Sequence, residues 1–182
     1  MDARAVADAI AKAARRQPPS VDDQGAALPC GMAGVELVRL AGHHDHRGSL
    51  TAFLDPRRPF WREPIVYGYA ITIRPGRIKG WGMHRLQHDR YWLPSGQLRV
   101  VLYDDREGSA TRGRFEQFHF TDASPGLLRI PPGVWHADQN WGDRDAVILN
   151  FPTVAYDAAN PDKYRIDPHA GVIPFDWKLA DG

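Results

Sequence analysis

The stretch that most constrains this chain is residues 131–140, which read PPGVWHADQN. A Pro–Gly pair favours a turn, and period-two alternation along the strand that follows decides which side chains face inward. An apolar run at residues 127–130 precedes the pair, so we predict a strand on each side of the turn. His136 is then expected to point into a small barrel. The alternative is a histidine that merely caps a turn or lies satisfied in a core.

The bulk composition excludes several classes of protein. The 182 residues carry 23 basic and 22 acidic side chains, a net charge of +1, so we expect no general attraction to nucleic acid or to a membrane. Cys30 is the one cysteine, which excludes an intramolecular disulfide and a cysteine-rich zinc site. No apolar run approaches the ~18 residues of a membrane span. Because the first residues lack a secretion signal, we expect a cytoplasmic protein.

The chain is predicted to consist of a short leader and one β-rich domain. Residues 3–16 are alanine-rich with apolar residues at helical spacing, so residues 1–33 are interpreted as an N-terminal helix and linker. Over residues 34–182, short alternating runs are separated by Gly and Pro, which favours an all-β sandwich or barrel over alternating β–α units. The tail at residues 161–177 has few strand-forming residues and is predicted to wrap the barrel.

The sequence also offers three possible metal ligands. The Pro–Gly–His pattern is similar to the second signature of the cupin barrel, whose first signature holds His-x-His and an acidic residue at a set distance before a glycine. Counting back from Gly96 places the acidic ligand at Asp89, the second histidine at His84 and the first on Gly82. With His136 these residues could form a facial triad. The glycine at the first ligand position favours a site without metal.

Five short motifs follow one another along the domain. They are DHRG at 45–48, GMHRLQ at 82–87, DDREGSATRG at 104–113, IPPGVWH at 130–136, and IDP with GVIP at 166–174. In this order they resemble the dTDP-4-dehydrorhamnose 3,5-epimerase family, which has a cupin jelly-roll fold. The third motif matches D-x-R-x-x-S-P-T-x-G except at Ala110. The resemblance implies an enzyme without a cofactor that isomerises a nucleotide-activated 4-keto-6-deoxysugar, for surface polysaccharide or natural-product biosynthesis.

The resemblance also implies catalytic roles. His84 would be the general base that removes a proton next to the C4 ketone, and Asp167 would orient His84 and stabilise its imidazolium. Arg90 falls where the family has a lysine beside the enolate oxygen. The alternative for Asp167 is that it only begins the turn at Pro168.

Substrate contacts are implied as well. Arg47 would bind the diphosphate as a fork, although it could instead pair with Asp45 on a surface turn. His136 would contact the sugar near the reacting carbons. Tyr156 would stack on the substrate, and Gln87 is assigned to the same binding site.

Asn150 departs from the family pattern in a way that bears on the chemistry. Alignment of the family's Y-K-x-T run on residues 150–153 places Asn150 where the proton-donating tyrosine should be. An amide cannot protonate a carbanion, although it could hydrogen-bond an enolate oxygen. Tyr156, Tyr91 or water could donate instead. We therefore expect solvent exchange, or inversion at one carbon, rather than inversion at two.

Three functions remain open from the sequence. The first is the sugar-nucleotide epimerase, and the second is a metal-dependent cupin enzyme that uses His84, Asp89 and His136. The third is a non-catalytic barrel that binds a sugar nucleotide. Metal analysis separates the first two, and stabilisation by ligand without turnover would support the third.

The oligomeric state gives a first testable prediction. The resemblance implies a homodimer, and a sheet with open edges gains from being covered. Sedimentation at micromolar concentration should therefore give the mass of a dimer. A strict monomer would contradict this expectation.

Overall fold

A computed structural model describes residues 31–179 without a gap and, before them, residues 2, 4–6, 8, 12 and 23. In the predicted helix at 3–16, the described residues 4–6, 8 and 12 are helical; the rest of that helix and most of the linker lie outside the described residues. No helix in this described part is long and apolar enough to cross a membrane.

Twelve strands and one short 3-10 turn, at Pro59–Trp61, form the domain between residues 31 and 179. The strands are β1 (Glu36–Arg39), β2 (Gly42–Asp45), β3 (Gly48–Thr51), β4 (Tyr69–Ile73), β5 (Ile78–Met83), β6 (Asp89–Ser95), β7 (Gln97–Asp104), β8 (Phe115–Thr121), β9 (Gly126–Ile130), β10 (Val134–Asn140), β11 (Ala146–Asn150) and β12 (Tyr164–Arg165).

The strands form two five-stranded antiparallel sheets and a separate hairpin. The first sheet has the order β1-β9-β6-β11-β4, the second has the order β12-β5-β10-β7-β8, and β2 pairs with β3. Several pairs of strands that are consecutive in sequence, such as β5 and β6 or β9 and β10, lie in different sheets, so the chain crosses repeatedly between them. This is the topology of a jelly roll, and the predicted all-β fold is confirmed. The Pro–Gly turn is one of the crossings.

The apolar core lies between the two sheets. Leu98, Val100 and Leu102 alternate along β7 and are fully buried, and they belong to the same cluster as Leu128 of β9 and Ile148 of β11 in the opposite sheet. Each such side chain stabilises the fold by ~1.5–3 kcal/mol relative to exposure. The apolar core occupies one part of the barrel, and polar side chains fill the part beside β4, β5 and the start of β6.

The C-terminal tail covers the open edge of the second sheet, as predicted. β12 pairs with β5, and beyond it Phe175 and Trp177 pack against Trp81. This path brings residues 162–165 alongside the end of β5, where His84 follows.

The D-x-R-x-x-S-x-T motif forms a buried ionic turn between β7 and β8. The carboxylate of Asp104 is fully buried. It accepts hydrogen bonds from Arg106 Nε at 2.9 Å and from the hydroxyls of Ser109 and Thr111 at 2.6 Å each. These donors, Arg106 foremost, hold the pKa of Asp104 well below its usual range. Arg106 also donates to the carbonyl of Ala33 at 2.6 Å, so the motif attaches the start of the domain to the barrel.

Substitution of Asp104 by alanine tests this structural role. We expect the free energy of unfolding at pH 7 to fall by about 3 kcal/mol, since the donors around Asp104 lose a buried charged acceptor. Because the folded-state pKa is depressed, the carboxylate stabilises the fold above the unfolded pKa of about 4, and its contribution is lost as the pH falls through the folded value. Denaturant titrations should therefore show a difference between wild type and Asp104→Ala that shrinks below about pH 4.

The neighbouring Asp105 provides the control. Its side chain is more than half exposed, so Asp105→Ala should change the free energy of unfolding by no more than ~0.5 kcal/mol. Equal effects of the two substitutions would show that the buried turn does not stabilise the domain as described.

Candidate active site

A buried carboxylate lies between two buried histidines at the polar end of the barrel. Asp89 begins β6 and is 2% exposed, His136 lies within β10 and is 5% exposed, and His84 follows β5 and is 8% exposed. The Oδ2 atom of Asp89 lies 3.7 Å from Nε2 of His84 and 3.6 Å from Nε2 of His136. The structure thus brings together three residues that the sequence placed in one site, and the inward orientation predicted for His136 is confirmed.

Two amides hold the second oxygen of Asp89. Gln87 donates to Oδ1 at 3.0 Å and Asn150 donates to it at 2.8 Å. The Asn150 amide is oriented by the backbone N–H of Arg90, which donates to Asn150 Oδ1 at 3.0 Å. Because Oδ1 of Asp89 is occupied in this way, Oδ2 remains directed at the two histidines.

The tail sets the tautomer of His84. Its Nδ1 atom is hydrogen-bonded to the backbone carbonyl of Asp162, and because a carbonyl can only accept, Nδ1 carries the hydrogen. The Nε2 atom therefore bears the lone pair; it is buried and has no hydrogen-bond partner in the described part of the chain. The Asp162 carboxylate accepts from the backbone N–H groups of Arg85 and Leu86, which holds the tail in place. A lone pair fixed in this way suits a general base.

Two cavities adjoin the cluster. The first has a volume of about 520 Å³ and is lined by His84, Gln87 and a mainly aromatic and apolar rim. The second has a volume of about 550 Å³ and is lined by His136 and Asp138 among others. Tyr69 and Lys163 line both, so the two cavities meet at these side chains.

Lys163 brings a positive charge to the junction of the cavities. It lies in the tail, directly after Asp162, and burial lowers the pKa of its ammonium while the charge of Asp89 opposes that shift. An oxyanion that develops in either cavity would have this ammonium group in its wall. Lys163 was not predicted from the sequence, because strand alternation does not predict the path of a tail.

The second cavity contains a buried carboxyl group. The Oδ1 atom of Asp138 has no hydrogen-bond partner among residues 31–179. Burial raises the pKa of Asp138 to about 7, and the charge of Asp89 acts in the same direction. Tyr91 is hydrogen-bonded to Asp138. Burial also lowers the pKa of His136 to about 4, so this imidazole is neutral at physiological pH.

Tyr156 lies at the rim of the first cavity, where the sequence placed a residue for substrate stacking. Its side chain is 61% exposed and its ring is stacked on that of Tyr67, with 6.5 Å between the centroids. The position suits contact with a flat ring, and the role itself stays a prediction.

Arg90 does not reach the site, so its predicted place beside the enolate oxygen is wrong. Side chains alternate along β6, and because Asp89 faces the interior, Arg90 faces the other way. Its guanidinium donates to the carbonyls of Phe151 at 2.7 Å and Glu63 at 2.8 Å. Arg90 therefore holds two loops against the outside of the first sheet.

Two other predicted residues lie on surface turns. Asp167 is exposed and its Oδ1 accepts from the backbone N–H of His169 at 2.8 Å, so the predicted contact with His84 is wrong and the turn alternative is correct. Arg47 lies beyond β2 with a 78% exposed side chain that pairs with Asp45 at 2.7 Å. It lines neither cavity, so the surface-turn alternative describes Arg47 in a single copy of the chain.

Asn150 supports other groups and does not itself line either cavity. Its Nδ2 group donates to Asp89 and also to the hydroxyl of Tyr69, at 2.8 Å in each case. Both amide hydrogens are thereby used, so the predicted contact of Asn150 with an enolate oxygen does not fit this arrangement. Tyr69 is a site residue that the sequence reasoning missed; its pairing with Asn150 across β4 and β11 becomes visible only when the strand order is known.

The cluster also resembles an incomplete metal site. One ligand atom from each of His84, Asp89 and His136 lies within 4.8 Å of the others. Two ligand atoms that each lie ~2.1 Å from one ion are at most ~4.2 Å apart. These three atoms would therefore have to move somewhat closer together to bind a metal. Gly82 occupies the position counted for a first histidine ligand, and a Cβ atom there would lie 3.3 Å from His136 Nε2. The donor set therefore fits a metal in type, with one ligand position unfilled.

Comparison with known proteins gives several relatives. No protein-family model matches the chain. A probable low-salt glycan biosynthesis epimerase, Agl13 of Haloferax volcanii, is 34% identical over 148 residues, which is 79% of this chain and 92% of that protein. The spore coat polysaccharide biosynthesis protein SpsL of Bacillus subtilis is 33% identical over 146 residues, covering 79% of this chain and 95% of its own length.

Solved structures agree with these relatives. A dTDP sugar isomerase from Desulfovibrio desulfuricans has 31% identity and a TM-score of 0.75, with 82% of this chain and 94% of that chain covered. The RmlC epimerase of Mycobacterium tuberculosis has 21% identity and a TM-score of 0.71, with 84% and 78% covered. At that identity the second similarity supports the fold alone.

Proposed function

This chain belongs to the family of sugar-nucleotide epimerases related to dTDP-4-dehydrorhamnose 3,5-epimerase, and from that premise we propose that it isomerises a nucleotide-activated 4-keto-6-deoxysugar. The observation that carries the proposal is the buried Nε2 lone pair of His84, which is held beside the Asp89 carboxylate. The biosynthetic roles in the names of the glycan and spore-coat relatives support a place in surface-polysaccharide synthesis; natural-product glycosylation is the other setting that the family allows.

The first chemical step is proton removal next to the C4 ketone. Nε2 of His84 takes the proton, and the electron pair of the broken C–H bond moves into the C–C bond and onto the ketone oxygen, which gives an enolate. The imidazolium that results faces Oδ2 of Asp89 at 3.7 Å, where the opposite charges attract each other. In this proposal Asp89 supplies the charge support that the sequence assigned to Asp167.

The enolate then needs a positive partner. Lys163 lines both cavities and takes the part that the sequence assigned to Arg90. The positive charge of its ammonium group would stabilise a developing oxyanion. The aromatic rim around Tyr156 and Tyr67 offers a surface on which a nucleobase could stack.

The role of His84 is tested by substitution. His84→Ala should lower deuterium uptake from heavy water into dTDP-4-keto-6-deoxyglucose by ~100-fold or more, since general base catalysis contributes on this scale. The thermal midpoint should stay close to that of the wild type, because His84 lines a cavity and does not belong to the apolar core. Mass spectrometry of the recovered sugar gives the rate.

Asp167→Asn is the matched control. Because Asp167 lies on a surface turn, this variant should exchange at a rate close to the wild type. A fully active His84→Ala variant, or an Asp167→Asn variant as inactive as His84→Ala, would show that the base has been assigned wrongly.

A metal-dependent cupin enzyme is the second candidate function, and the convergence of His84, Asp89 and His136 favours it. In such an enzyme the three side chains would hold a divalent transition metal that polarises a bound oxygen atom. We rank this candidate second because Gly82 leaves one of the four positions unfilled and the family assignment favours proton-transfer chemistry.

Metal content separates the two candidates. We predict that protein purified without an affinity tag holds no stoichiometric iron, nickel or zinc after dialysis, as measured by elemental mass spectrometry. Stoichiometric metal that survives dialysis in the wild type and is lost in His136→Ala would place the metal-dependent enzyme first.

The homodimer stays a prediction, and one feature of the fold supports it. The β2–β3 hairpin forms a sheet of its own, and Leu50 within it is 64% exposed. A two-stranded hairpin has little stability alone, so a second copy of the chain would stabilise it. The cytoplasmic location expected from the sequence also stays a prediction.

A further inference from the structure

The proposed function requires a proton donor, which the aligned residue Asn150 cannot be. Inversion at a carbon needs a base on one face of the enolate and an acid on the other. His84 supplies the base. The acid must be a hydroxyl or cationic group that reaches the same cavity from a different wall.

Tyr69 and His84 reach the first cavity from different sheets. Tyr69 begins β4, at the edge of the first sheet, whereas His84 follows β5 in the second sheet. Both side chains line the first cavity. A planar enolate bound between the sheets would therefore have the imidazole on one side and the phenol on the other.

The hydrogen-bond directions leave the phenolic hydrogen of Tyr69 available. Asn150 lies opposite Tyr69 in the β4–β11 ladder, and its Nδ2 donates to the Tyr69 oxygen at 2.8 Å. The amide cannot be turned around without placing Nδ2 against the backbone N–H of Arg90, which donates to Oδ1 at 3.0 Å. The Tyr69 oxygen therefore accepts from Asn150, and its own hydrogen is free for another acceptor.

The other tyrosines near the site are less well placed. Tyr91 is buried, is hydrogen-bonded to Asp138, and lines the second cavity without the first. Tyr156 is an exposed rim residue, and Tyr67 beside it is exposed as well. Among the described residues, Tyr69 is the tyrosine that lines both cavities.

We propose that Tyr69 is the catalytic acid of this enzyme and that Asn150 is the residue that positions it. The assignment rests on the proposed epimerase function. Alignment with the family pattern places a tyrosine at position 150. This chain has the amide of Asn150 there, on β11, and the phenol of Tyr69 opposite it on the neighbouring strand β4.

The proton balance closes over one turnover. Tyr69 transfers its hydroxyl hydrogen to the carbon of the enolate, a C–H bond forms, and the ketone is restored at C4. The phenolate then takes a proton from water, while the His84 imidazolium releases the proton that it removed. Burial raises the pKa of Tyr69 to about 12, with the charge of Asp89 acting in the same direction, so the phenol is protonated at neutral pH before each turnover.

Tyr69→Phe tests the assignment, with Tyr103→Phe as a matched control, because Tyr103 packs on Phe115 and lines neither cavity. In heavy water with dTDP-4-keto-6-deoxyglucose as the probe, Tyr69→Phe should still exchange the proton that His84 removes, at a rate within a few-fold of the wild type. Inversion should fall by ~100-fold or more, since the opposite-face donor is gone. Tyr103→Phe should exchange and invert at rates close to the wild type, as measured by NMR of the recovered sugar.

Three results would overturn the assignment. Inversion by Tyr69→Phe at the wild-type rate would show that another group donates. A folded Tyr69→Phe variant that has lost both exchange and inversion would show that Tyr69 has a role other than proton donation. A wild-type protein that neither exchanges nor inverts the probe would rule out the proposed function and this assignment with it. This third result is distinct from the first two, because both of those require an active wild type.

A fluorinated tyrosine at position 69 keeps the test decisive if Tyr69→Phe does not fold. Fluorine lowers the pKa of the phenol but leaves the ring and the hydrogen bond from Asn150 in place. The alkaline limb of the pH profile for inversion should then move to lower pH, while exchange keeps its own profile. An inversion profile that does not move would overturn the assignment.

Discussion

The buried carboxylate of Asp89 is the group on which the site depends. An anion removed from water is costly unless its lone pairs find partners. Gln87 and Asn150 donate to one of its oxygens, and the other faces the imidazoles of His84 and His136 at 3.7 and 3.6 Å. Because these partners come from both sheets, one charge holds the two walls of the site in a fixed relation.

The same anion connects the electrostatics of the site to its chemistry. Burial raises the pKa of Tyr69 and of Asp138, and the charge of Asp89 acts in the same direction. Burial lowers the pKa of Lys163, and the charge of Asp89 opposes that shift. Asp89 therefore helps to keep both the phenol of Tyr69 and the ammonium of Lys163 protonated. In a site of this kind a single buried charge prepares several groups for proton transfer.

Local sequence patterns predicted much of this structure, whereas contacts between distant parts of the chain were not predicted. The Pro–Gly turn and strand alternation placed His136 inside, and counting back from Gly96 placed Asp89 and His84 beside it. The same alternation argues against a place for Arg90 in the site, since Asp89 and Arg90 are neighbours on a strand and face opposite sides. Lys163 came from a tail without periodicity, and Tyr69 meets Asn150 only through the order of strands in a sheet. The closest motif match, around Asp104, proved to stabilise a turn.

The proposed role of His84 requires an unprotonated Nε2 that faces the cavity. Nitrogen-15 NMR of histidine-labelled protein tests it directly, with His84 assigned by comparison with His84→Gln. Because the Asp162 carbonyl accepts from Nδ1, the neutral ring should show a protonated Nδ1 and an unprotonated Nε2 without the shift of a metal-bound nitrogen. A neutral ring with its hydrogen on Nε2, or an Nε2 bound to metal, would show that His84 is not the base.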